Sequence, residues 1–128
     1  MVPEELRYSE DHEWVLAIGA GAVRIGITDY ARSQLGDIVF VELRQVGDSV
    51  ARGDEVGTVE SVKAVSEVYA PVAGELVARN DALVDDPELV NDDPYGEGWM
   101  LEIKLADASG LNSLLSAADY RKFIAEQT

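Results

Sequence analysis

Hydrophobic positions in this chain come in short valine-rich runs closed off by glycine, and one four-residue phrase recurs. It reads Gly36-Asp37-Ile38-Val39, Gly47-Asp48-Ser49-Val50 and Gly53-Asp54-Glu55-Val56, with a looser copy at Gly74-Glu75-Leu76-Val77. Glycine tolerates a positive φ and the acid after it bonds local backbone, so each phrase opens with a turn. The β-branched residues that follow favour a strand. The copies are too irregularly spaced for a solenoid. They predict a compact sheet of many short strands, a sandwich or flattened barrel. Upstream, residues 14–18 and 22–27 flank Gly19-Ala20-Gly21 and predict a hairpin. The Gly-x-Gly there is not a dinucleotide loop, because Arg24 stands where the third glycine belongs and no long helix follows.

Helical signals are short and peripheral. Thr28 is placed as an N-cap before Asp29, and Gly36 as a stop after Leu35. Ser116 and Asp119 have the spacing of a capping pair, with Tyr120, Phe123 and Ile124 on one face as a stripe that covers the sheet. The acidic stretch from Asn80 to Pro94, with Asp81, Asp85, Asp86, Asp92 and Asp93, does not fit a calcium loop. It reads as a solvated loop, and no metal site is expected.

Composition narrows the functional classes. A length of 128 residues predicts a single domain spanning 1–128, and a 47% hydrophobic content is enough for a real core. The net charge of −15 argues against nucleic acid and against an anionic membrane surface, both of which need clustered Lys and Arg. No apolar run approaches the ~20 residues of a membrane span. The absence of cysteine removes disulfides, thiolate metal sites and cysteine nucleophiles. Residues 1–13 are acidic and resemble neither a secretory signal nor a transit peptide. The cytoplasm is the expected compartment and a monomer the expected state.

Catalytic options are few. His12 is the sole imidazole, and beside Trp14 it reads as a packing or hydrogen-bonding residue. No serine sits in a nucleophile elbow. The more informative stretch has two alternating runs, 54–61 and 64–71, flanking a centre between Val62 and Lys63. This is a hairpin with lysine in its turn and without the usual Asn-Gly or Asp-Gly. Lys63 is one of only three lysines, and Glu60 and Glu67 are set back on either side. A hairpin tip holds an amine exposed on a rigid scaffold, which suits a covalent carrier. By pattern alone, a lysine that merely solubilises a turn explains the feature equally well.

Glu60-Ser61-Val62-Lys63-Ala64, Ser66-Glu67-Val68 and Pro71-Val72-Ala73-Gly74-Glu75 resemble the lipoyl-attachment hairpin of the glycine cleavage system H protein family. The resemblance continues in order along nearly the whole chain. It takes in His12-Glu13-Trp14, residues 26–31, residues 35–43, the stretch from Asn91 to Trp99, and Leu114-Leu115 with Tyr120. It implies a mainly β barrel-sandwich hybrid with an N-terminal β extension, short peripheral helices and a C-terminal helix. It implies lipoate attached to Lys63 and no catalytic residues. Glu60, Glu67 and Gly47 match positions to which lipoate-attaching enzymes are sensitive.

The resemblance also implies a carrier cycle. A pyridoxal-phosphate glycine decarboxylase loads an aminomethyl group on the arm, an aminomethyltransferase unloads it to tetrahydrofolate, and a dihydrolipoamide dehydrogenase reoxidises it. Asp11, Glu13 and Glu67 match the cleft that shelters the loaded arm, although Glu13 reads equally as an exposed strand charge and Asp11 as a cap. Val62 and Ala64 stand where biotin carriers place Met, and lipoyl domains of 2-oxoacid dehydrogenases are shorter and usually show Asp before the lysine. Two departures stand out: Arg44-Gln45 for the family's common Pro-Glu, read as surface variation, and Gln34 for a residue that is often histidine. Three other readings stay open: a lipoyl relay to other complexes, an unmodified acidic protein-binding module, and an enzyme using His12.

Overall fold

The computed structural model describes residues 2–127, the side chain of Ala108 excepted. Among these residues nine strands form two antiparallel sheets. The larger runs in the order β1 (Arg7–Tyr8), β2 (Glu13–Gly19), β3 (Ala22–Ile27), β9 (Leu101–Leu105), β8 (Gly74–Arg79), β5 (Ser49–Val50). The smaller is β4 (Ile38–Leu43), β6 (Glu55–Ser61), β7 (Val65–Tyr69). Each of the four glycine-acid phrases leads into a strand: β4, β5, β6 or β8. The glycines of the first three have positive φ, 86° at Gly36, 102° at Gly47 and 92° at Gly53.

The core draws on both sheets, with Val23, Ile25, Leu76 and Ile103 from one and Ile38, Val41, Val59 and Val68 from the other. Burying both inner faces is the main stabilising term. A second cluster holds the N-terminal strands: Leu6, Tyr8 and Trp14 pack with Ala117 and Tyr120 of the C-terminal helix α4 (Ala117–Glu126). Trp14 donates its indole N–H to Pro94 O at 2.9 Å. A Cβ at Gly26 would come within 2.8 Å of that ring, so only glycine fits opposite it.

Local capping follows the sequence. Thr28 Oγ1 accepts Ala31 N–H at the start of α1 (Asp29–Leu35), and Gly36 closes that helix. Ser116 Oγ accepts Asp119 N–H at the start of α4. The stripe of Tyr120, Phe123 and Ile124 packs on the N-terminal cluster.

The acidic stretch is a correction: instead of a solvated loop it forms two short helices, α2 (Ala82–Asp85) and α3 (Glu88–Asp92). Neither has a side-chain cap bond. Buried Leu83 and Val90 anchor them in the main core, so tertiary packing supplies what local propensity lacks. Asn91 does further work from α3. Its side-chain amide accepts Ile38 N–H at 3.1 Å and donates to Ile38 O at 3.2 Å, which covers part of the β4 edge.

Candidate functional site

The hairpin between β6 and β7 turns through Ser61-Val62-Lys63-Ala64. Ser61 N–H donates to Ala64 O at 2.8 Å. The Ser61 hydroxyl oxygen accepts Lys63 N–H at 3.2 Å and Ala64 N–H at 3.0 Å. The buried serine thus replaces the Asn-Gly chemistry that the turn lacks. Sequence reasoning passed over Ser61, and its signal was a serine opening a four-residue turn.

Lys63 is exposed, and it takes part in none of the described ion pairs. Its tip is braced from the α1–β4 corner, where Asp37 O accepts Val62 N–H at 3.2 Å. The lysine stem runs over Gly36, where an added Cβ would meet Lys63 Cε at 3.5 Å. The helix that ends at Gly36 supplies Tyr30, Ala31, Gln34 and Leu35 to a cleft of about 300 Å³. Asp11, His12, Ser66 and Gln127 complete its lining. Gln34, one of the two departures, therefore faces the cleft. Arg44 does not: it pairs with Asp48 at 2.9 Å on the surface.

The expected cleft acids are placed differently from one another. Asp11 lines the cleft and is exposed. Glu67 is exposed on β7, directly across from Thr58. Glu13 is buried at 1% exposure, which overturns its reading as an exposed strand charge. One of its oxygens accepts the Ser9 hydroxyl at 2.6 Å and the other accepts Tyr69 N–H at 3.2 Å. Burial pushes the Glu13 carboxyl up to about 7, against those two bonds. Tyr69 is the meeting point of the group: the charge of Glu67, then burial, then the charge of Asp11 push its phenol up. Nothing in the hydrophobic pattern singled Tyr69 out.

His12 has a φ of 69° and contacts Tyr30, Tyr120 and Phe123 through its ring. Its Nδ1 lies 2.8 Å from the Tyr120 hydroxyl, which also bonds Thr28 Oγ1 at 2.7 Å. Burial lowers its pKa below the ordinary histidine value. This is the packing and hydrogen-bonding role read from sequence. Of the three expected recognition positions, Glu60 and Glu67 lie on the Lys63 hairpin. Gly47 does not: it sits past the opposite end of β4, its N–H bonded to Leu76 O at 2.8 Å.

A family profile described as glycine cleavage H-protein matches residues 6–127, the span that contains the hairpin, the cleft and the C-terminal helix. The chain belongs to the glycine cleavage H-protein family. Among similar proteins, the glycine cleavage system H protein of Psychrobacter sp. (strain PRwf-1) is 59% identical over 120 residues, 94% of this chain and 95% of that one. That of Listeria monocytogenes serotype 4b (strain CLIP80459) is 53% identical over 123 residues, 96% and 98% of the two chains. The crystal structure of a glycine cleavage system H protein from Mycobacterium marinum superposes with a TM-score of 0.87 at 40% identity, covering 97% of this chain and 99% of that one. The two sheets are thus those of the lipoyl-type barrel-sandwich fold, and H-protein membership assigns the chain a carrier role in the glycine cleavage system.

Proposed function

We propose that Lys63 of this H-protein family member carries lipoate as an amide on Nζ, and that the protein ferries the aminomethyl group of glycine without catalysing a step itself. One observation carries the reading: the amine stands exposed at a turn that Ser61 and Asp37 hold in place. A primary amine on a four-carbon stem loses a proton, attacks an activated lipoyl carboxyl group and displaces its leaving group, which gives that amide. When bound, the lipoyl group supplies a disulfide that accepts a one-carbon amine unit and is later reoxidised by a partner.

The rest falls to this chain's residues. Lys63 tethers the arm, which replaces free diffusion by a high effective concentration. The lysine stem lies over the Gly36 corner, at the end of the helix that lines the cleft. Asp11 and Glu67 give this side of the protein negative charge suited to a protonated amine, while Gln34 and Ser66 offer polar atoms in the lining. Glu13 supports this wall from behind by holding the backbone of Tyr69. The partners are glycine decarboxylase, aminomethyltransferase, dihydrolipoamide dehydrogenase and a lipoate-attaching enzyme that reads Glu60 and Glu67. Gly47 contributes to that reading by shaping the loop before β5. We place this exchange in the cytoplasm, with the protein acting as a monomer.

Intact mass after co-expression with a lipoate ligase and lipoate, beside Lys63→Arg, tests the proposal. A single lipoyl group on the wild type and none on the variant is the expected result. Folded wild type that stays unmodified, under conditions that modify a control carrier, overturns it and leaves an unmodified acidic binding module as the better account.

A further inference from the structure

Eight large hydrophobic residues are exposed among the described residues, and four of them, Val39, Phe40, Val62 and Val65, gather at the Lys63 end of the smaller sheet. Val62 is the most exposed of all, at 73%, with Val65 at 64% and Phe40 at 47%. Register makes three residues neighbours: Phe40 pairs with Glu60, and Glu60 with Val65, forming one outward row across β4, β6 and β7. The next row, Val41-Val59-Ser66, points inward, with Val41 and Val59 buried. The row after it, Glu42-Thr58-Glu67, is outward again. These three strands carry Glu42, Glu55, Glu60 and Glu67 and no Lys or Arg. The face is therefore an apolar ridge split by one carboxylate and rimmed by others, beside the one lysine at the tip.

Exposed aromatic and aliphatic side chains in one patch mark a surface that another protein covers. We infer that the outward row Phe40-Glu60-Val65, with Val62, is the docking face for the lipoate-attaching enzyme, whose matching surface is apolar with Lys or Arg around it. The inference rests on Lys63 being the modified residue. Reach selects this partner over the others. An unmodified lysine extends roughly 6 Å from its Cα, and an acylated arm about twice as far. The enzyme that first acylates the amine is forced into contact with the tip and with the row one residue behind it. Enzymes that meet the end of the finished arm are not. Complementary charge on the rim speeds encounter, while the buried apolar centre sets affinity.

The test is steady-state lipoylation of the purified 128-residue apo chain by a lipoate ligase with lipoate and ATP. It compares wild type, Phe40→Ser, Val65→Thr, their double variant, and Ile18→Thr, which removes exposed apolar area far from the tip. A second measurement, calorimetric binding of the same ligase to the chain carrying Lys63→Arg with and without Phe40→Ser, reads affinity with no reaction. We expect KM for the double variant to rise about tenfold with kcat within about twofold, no effect of Ile18→Thr, and a matching loss of binding in the calorimeter. Normal lipoylation of the wild type with unchanged KM and binding in the ridge variants overturns the docking face and leaves the carrier reading standing. A fall in kcat alone, alongside a lowered melting temperature, overturns it too, since Phe40 would then act through the fold. Wild type that is never lipoylated removes the carrier reading itself.

Discussion

The Lys63 side chain lies over Gly36: a Cβ built on Gly36 sits 3.5 Å from Lys63 Cε and 4.0 Å from Cδ. Lys63 sits in the β6–β7 turn and Gly36 at the α1–β4 corner, and their approach brings the lysine stem to the end of the cleft helix. Gly36 also holds φ 86° and ψ −160°, a region that is essentially glycine-only. Gly36→Ala is expected to cost about 1–3 kcal/mol through backbone strain. The contact distance itself is ordinary, so the lysine stem stays in place. Urea unfolding should show a lower midpoint at unchanged slope, with Lys63 still open to lipoylation.

Ser61 makes a second prediction. Ser61→Ala leaves the Lys63 and Ala64 N–H groups of the turn without their acceptor, at an expected cost of about 1–2 kcal/mol. Because the tip loosens, lipoylation should slow as well. Ser61→Thr keeps the hydroxyl and should recover most of the rate. Equal rates for all three proteins would show that the turn holds without the hydroxyl.

Glu13 predicts a pH dependence. Its carboxyl is raised from 4.5 to about 7 by burial, so the folded state binds this proton more tightly than the unfolded state. The contribution is fully present below the unfolded value and is lost as pH rises through the folded one. Over that window it amounts to roughly 3 kcal/mol. Glu13→Gln still accepts Tyr69 N–H through its amide oxygen, can donate its amide N–H to Ser9 Oγ in place of accepting from it, and removes the titration. Denaturation of the two proteins from pH 5 to pH 8 should therefore show the variant gaining on the wild type as pH rises. Parallel curves would contradict this.

Tyr120 anchors the C-terminal helix. Its hydroxyl bonds both His12 Nδ1 and Thr28 Oγ1, and its ring stacks on Tyr8 at a centroid distance of 4.5 Å. Tyr120→Phe keeps the stack and strips the hydroxyl from buried Thr28 and half-buried His12. A loss of about 1–3 kcal/mol in thermal or urea unfolding is expected, with Lys63 modification unaffected.

Much of this was legible from local pattern. The glycine-acid phrases announced β4, β5, β6 and β8, because turn chemistry and β-branching act within a few residues. Thr28, Gly36 and Ser116 were readable as caps for the same reason. Lys63 stood out by its place between two alternating runs, and the family resemblance turned that pattern into a candidate attachment site. The helices α2 and α3 were not legible, since their sequences are acidic and uncapped and they fold only because Leu83 and Val90 find the core. The environment of Glu13 was equally hidden. An acid at the start of a strand gives no local sign that a β7 backbone amide, 56 residues away in sequence, will close over it.

The sequence alone therefore determined the strands, the turns and the position of the lysine, all of which depend on neighbours along the chain. Only the tertiary structure decided that the α1–β4 corner carries the lysine stem, that Gln34 faces the cleft while Gly47 lies at the far end of the sheet, and that Phe40 and Val65 flank Glu60 on one outward row. Those relationships follow from the pairing of distant strands and the burial of two sheet faces against each other. The free energy that selects them is summed over the whole core and is written in no short stretch of it.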